Sequence, residues 1–164
     1  MPWPMSTHKP SAPRRRPRIL VAGLGTLLLQ DDGVGVHAVR ALHHGVPRGV
    51  RAVEVGTAVL DALHLVEWAD RILAIDAMQA GGDPGTIYRC GVADVADRAL
   101  TASLHEVDFV TVLRFLTSGH RPEIAVLGVE PETIGAGLEL SPSVQAALPQ
   151  LVAAAQDIVT RWRA

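Results

Sequence analysis

Arg18-Ile19-Leu20-Val21-Ala22-Gly23-Leu24, continuing through Gly25-Thr26-Leu27-Leu28-Leu29 into Gln30-Asp31-Asp32-Gly33, is the stretch that decides the fold class. Its first seven residues are mostly apolar, with no polar residue alternating between them. That pattern fits a strand buried on both faces of a parallel sheet. The Gln30-Asp31-Asp32-Gly33 loop follows, and the spacing then predicts a helix over about Val34–His44. Val36, Val39 and Leu42 recur at helical spacing with Ala38 and Ala41 beside them, and Gly45 ends the run. A buried strand leading through a loop into an amphipathic helix is the opening half of a crossover unit.

The same alternation continues along the chain. Ala52–Val55 and Arg71–Asp76 read as strands, with a helix over Val59–Trp68 between them. Gly81-Gly82-Asp83-Pro84-Gly85 is a turn, and Thr86–Arg89 reads as a fourth strand in a hairpin with the third. Val107–Leu116 reads as a helix and Glu123–Val129 as a fifth strand. Ser141 is placed as the N-cap of a last helix running to about Arg161, with Pro142 at its first position. The expected architecture is a three-layer α/β/α sandwich on a five-stranded, largely parallel (mixed) sheet, formed by residues 18–164 as one domain.

Composition narrows the function classes. The 164 residues are 48% hydrophobic and 20% charged, enough apolar material for a sizeable core. Of 15 basic residues, five fall within the first 18 positions with no acid among them, so the other 10 face 17 acids. The folded part is therefore acidic, and with only six aromatic residues it is a poor platform for nucleic acid. A lone cysteine, Cys90, excludes an internal disulfide or a cysteine cage for metal. Residues 1–17, rich in Pro, Arg and Ser, read as a disordered basic tail. Arg14-Arg15-Arg16 ahead of Ile19–Leu29 has the outline of an export signal. Gly23, Gly25 and the acidic Asp31-Asp32 interrupt that outline, and no small-x-small cleavage site follows. With no apolar run near the ~20 residues a membrane span needs, the expected location is cytoplasmic.

In an open α/β sheet, ligands collect beyond the C-terminal strand ends. Asp31 and Asp32 follow the first strand, Asp76 ends the third, and His105 stands just ahead of the helix at 107–116. Two carboxylates and an imidazole from separate loops can form an open metal site that polarises a carbonyl or supplies hydroxide. Without metal, the carboxylates can serve as a general acid/base pair. Each residue also has a structural reading: a turn or helix cap for Asp32, a loop cap for Asp76, a capping or surface role for His105. Dinucleotide binding is the competing class, since Gly23-Leu24-Gly25 follows a strand and Glu54 stands where a ribose-binding acid belongs. Leu28 occupies the third glycine position, however, and Asp31-Asp32 would repel a pyrophosphate.

The run Ile19–Val36, with Gly23-Leu24-Gly25-Thr26 and Gln30-Asp31-Asp32-Gly33-Val34-Gly35 inside it, resembles the opening of the hydrogenase maturation endopeptidases. These enzymes remove a C-terminal peptide from the large subunit of nickel–iron hydrogenases after nickel insertion. Glu54-Val55-Gly56-Thr57, Ile75-Asp76-Ala77 with Pro84-Gly85-Thr86, and Ser103-Leu104-His105 continue the resemblance in order. Gly128-Val129-Glu130-Pro131-Glu132 and Gly137-Leu138-Glu139-Leu140-Ser141-Pro142 complete it, over about residues 18–160. Thr26 stands where the family often has Asn, and Glu54 where Asp is common.

The resemblance implies that Asp32, Asp76 and His105 are the catalytic, metal-contacting residues and that Gly56 and Thr57 bind substrate. It implies nickel as the metal, namely that of the client, and a hydrogenase large-subunit precursor as the partner, with no nucleic acid and no membrane. A nickel-sensing module that binds the client without cutting it is the non-enzymatic alternative.

Overall fold

The computed structural model describes residues 15–91 and 119–164; the helix expected at 107–116, His105 and the first 14 residues of the tail lie outside the described residues. Among the described residues, five strands form one sheet: β1 (Ile19–Leu24), β2 (Val50–Gly56), β3 (Arg71–Ala77), β4 (Ile87–Gly91) and β5 (Glu123–Val129). Their spatial order is β2-β1-β3-β5-β4. The β1, β2, β3 and β5 strands are parallel, and β4 runs antiparallel to β5. The expected mixed α/β sheet is therefore what forms.

Why the central strands lack polar alternation is plain from their surroundings. Every residue of β1 is buried, and β3 is buried from Ile72 to Ala77. Ile19, Val21, Leu73, Ile75 and Leu127 face a cluster completed by α1 (Val34–Leu42) and α3 (Pro142–Arg163), through Val39, Val144, Leu151 and Ile158. Leu20, Ala22, Leu24, Ile72 and Ala74 face the other way, onto Val59, Leu65 and Val66 around α2 (Leu63–Trp68). Each fully buried aliphatic of this kind contributes roughly 2 kcal/mol.

Three expectations are corrected. The fourth strand does not form a hairpin with the third. β3 has no free edge, since β1 takes one side from Ile19↔Arg71 and β5 the other from Arg71↔Glu123 through Ala77↔Val129. β4 accordingly takes the outer edge of β5, with Ile87 opposite Val129. The second helix begins as a 3-10 turn, Val59–Ala62, and the first ends in one, His43–Gly45. Ser141 occupies the N-cap position of α3, but its hydroxyl makes no capping bond, being engaged by Asp31.

Candidate active site

The chain leaves β1 toward β2 on one side of the sheet and returns to β3 on the other. The C-terminal ends of β1 and β3 therefore flank the point where strand order reverses, the usual ligand crevice of such sheets. Asp32 follows β1 and Asp76 is the penultimate residue of β3, so both predicted carboxylates arrive at that crevice. Close backbone packing brings them there. A Cβ on Gly35, at the start of α1, would collide with the carbonyl oxygens of Ile75 and Leu24, so only glycine lets the helix start seat directly on the two strand ends.

Among the described residues, the buried polar or charged side chains are Asp31, Asp32, Asp76, Glu130 and Ser141, and all lie at this end of the sheet. Buried carboxylates persist only where hydrogen bonds compensate for lost water. Asp32 is 5% exposed, and its Oδ2 accepts the Thr26 N–H at 2.8 Å. The backbone of Thr26 provides this bond, so it does not depend on which side chain stands there. Gly25 permits the tight loop: its φ is +92°, and a Cβ would strike the Asp32 carbonyl. Asp76 is fully buried, and its Oδ1 accepts the N–H of Ala77 at 2.9 Å.

Gly56 lies beside the same loop. A bulge between Gly23 and Leu24 shifts the β1–β2 register, and the Gly56 carbonyl accepts the Gly25 N–H at 3.1 Å. Thr57 follows, exposed. Four of the five predicted site residues thus sit at one edge, while His105 lies outside the described residues. Among the described residues, no three His, Cys, Asp or Glu side chains group to hold a metal ion, so two carboxylates are what this part of the chain offers one.

Sequence reasoning placed Asp31 beside Asp32 at the strand ends but gave it no role of its own, and gave none to Glu130. The Asp31 carboxylate, with no exposure, accepts the N–H groups of Glu132 and Thr133, both at 2.9 Å, and the N–H and hydroxyl of Ser141, both at 2.7 Å. Burial pushes its pKa up, but these bonds outweigh burial and hold it below the ordinary value of 3.8. Asp31 therefore ties the loop after β1 to the segment between β5 and α3. Backbone bonds Gln30 N–H to Gly137 O and Gly137 N–H to Leu28 O, both at 3.0 Å, reinforce the tie. Gln30 alone among the described non-glycine residues has positive φ, +51°. Glu130 acts similarly on the loop after Asp76, its Oε2 accepting the Ala80 N–H at 2.8 Å and the Tyr88 hydroxyl at 2.9 Å. Their partners lie 42 to 110 residues away, which is why no local pattern could reveal them.

A pocket of about 380 Å³ between α1 and β2 is lined by Val39, Arg40, His43, Ala52 and Glu54 and holds none of the predicted site residues. There Glu54 is paired with Arg40 at 2.8 and 3.0 Å. The acid that stands where the competing dinucleotide reading would put a ribose-binding residue thus has a guanidinium partner within the chain.

A family model described as hydrogenase maturation protease matches residues 36–158. The chain belongs to that family. As a hydrogenase maturation protease it is an endopeptidase, which decides against both the dinucleotide reading and the non-catalytic module. It is 32% identical to the hydrogenase expression/formation protein HupD of Rhizobium leguminosarum bv. viciae, over 96% of this chain and 82% of that one. It is 30% identical to the hydrogenase 2 maturation protease of Escherichia coli K12, over 85% and 92%. Among solved structures, the hydrogenase maturating endopeptidase HybD from E. coli superposes with a TM-score of 0.80 at 28% identity, covering 88% of this chain and 93% of that one. The [NiFe] hydrogenase maturation protease HybD from Thermococcus kodakarensis gives 0.76 at 28% identity, covering 87% and 99%. Among the described residues, no helix is long and apolar enough to cross a membrane.

Proposed function

We propose that this chain cleaves the C-terminal peptide from a nickel–iron hydrogenase large-subunit precursor once nickel has been inserted, acting in the cytoplasm, with Asp32, Asp76 and His105 engaging the client's nickel. The observation that carries this reading is the pair of buried carboxylates at the strand-order reversal of a maturation-protease fold. An enzyme that must cut one bond at one stage of assembly gains by having no nucleophile of its own. Here the client's metal completes the site, and metal loading itself draws the scissile bond into place. Gly56 and Thr57, beside the Asp32 loop, contact the peptide.

In the reaction, water adds to the scissile carbonyl and the C–N bond breaks. The proton that water gives up passes to the leaving amine. Nickel polarises the carbonyl or the water, and an aspartate can carry the proton. The test is intact-mass spectrometry of the cognate precursor, nickel-loaded and nickel-free, after incubation with the full chain. One C-terminal mass loss confined to the loaded sample is expected. Equal cleavage of both samples would remove nickel from the mechanism.

A further inference from the structure

The described residues expose five large aliphatic side chains, and all five lie in segments that follow strand C-terminal ends. Leu28 (67% exposed) and Leu29 follow β1, Leu60 follows β2 just beyond Thr57, and Ile134 and Leu138 (66%) follow β5. The backbone bonds between Gly137 and residues 28 and 30, with the Asp31 carboxylate beneath them, hold the first and last of these segments together. They present one surface. A protein does not gather its exposed leucines around a pair of buried carboxylates for stability, because each stays in water.

Charge on the same segments is one-sided. Residues 25–36, 56–63 and 130–141 contain no Lys or Arg, and Asp61, Glu132 and Glu139 are exposed among the aliphatics. A surface that is apolar and acidic complements one that is apolar and basic. We infer that this rim docks the hydrogenase precursor through an apolar, basic stretch of the precursor adjoining its cleavage point, so that recognition is made outside the carboxylates and chemistry within them. This rests on the processing function proposed above.

The experiment compares the full-length chain with Leu28→Gln/Leu138→Gln and Leu28→Met/Leu138→Met, measuring both binding to the nickel-loaded precursor and its cleavage. The Gln pair should raise Kd and KM at least tenfold while kcat at saturation stays within twofold, and the Met pair should stay within twofold throughout. Adding salt should weaken binding by the wild-type chain, and Glu132→Gln/Glu139→Gln should flatten that dependence. Wild-type cleavage with unchanged KM in the Gln pair would overturn the rim and leave the processing function standing. Binding without cleavage, lost in the Gln pair, would overturn processing and uphold the rim. Wild-type chain that neither binds nor cuts overturns both. A dimer in sedimentation that the Gln pair dissolves would make the rim a self-association face and overturn the inference.

Discussion

The two ends of this sheet handle charge in opposite ways. At the N-terminal strand ends, charged side chains remain in contact with water and pair across the surface. Arg18 meets Asp70 at 3.0 Å, Arg71 meets Glu123 at 3.1 Å, and the Arg18 and Arg51 guanidinium groups lie over the Trp68 ring. Such pairs contribute little each, since water competes for both partners. At the C-terminal ends a group of acids is buried beneath exposed ones, and backbone N–H groups bond to Asp31, Asp32 and Asp76. Asp70, by contrast, is held by the Arg18 guanidinium as well as by the Arg18 N–H. Stability alone would favour apolar side chains at the buried positions, which agrees with the catalytic role proposed for Asp32 and Asp76.

The largest expected effect lies at the C-terminal end. Asp76→Asn should lower processing of the nickel-loaded precursor at least a thousandfold by intact mass, with the thermal transition moved by no more than a few degrees. An equally active Asp76→Asn chain would erase the functional half of the comparison. Asp31→Asn should act on the fold instead. It replaces an acceptor of four hydrogen bonds with a group that must turn a donor toward some of those N–H groups. The expected loss is about 3 kcal/mol, or roughly 8 °C in Tm by calorimetry.

Acid sharpens the same contrast. The folded Asp31 carboxyl titrates below its ordinary value, so its stabilising effect is fully present above about pH 4 and is lost as pH falls through the folded pKa. Denaturant titrations should show the gap between wild type and Asp31→Asn closing below about pH 4; a gap that widens on acidification would contradict the sign. Tyr88→Phe, which removes one bond to Glu130, should cost about 1 kcal/mol in the same titrations. Smallest of all, Glu123→Gln at the N-terminal end should change stability by under about 0.5 kcal/mol.

The carboxylates proposed to be catalytic are easier to find in the sequence than the structural ones. Asp76 stands out because it closes an apolar run, and Asp32 because it precedes a helix after another. In an alternating α/β chain, both positions lead to the sheet's C-terminal edge. Asp31 looks the same as Asp32 in sequence, and what separates them is Ser141, 110 residues away. Ser141 in turn was legible as an N-cap from Ser-Pro alone, but a buried carboxylate competes for its hydroxyl more strongly than helix N–H groups do. The position of β4 depended on which strand edge remained open, a property of the assembled sheet that no local pattern carries.

The most direct test of the division between Asp31 and Asp32 is the rate of C-terminal mass loss from nickel-loaded precursor, measured for Asp32→Asn and Asp31→Asn at a temperature where both are folded. Asp32→Asn should leave the precursor at full mass, and Asp31→Asn should still process it. Processing by Asp32→Asn at the wild-type rate would contradict the account.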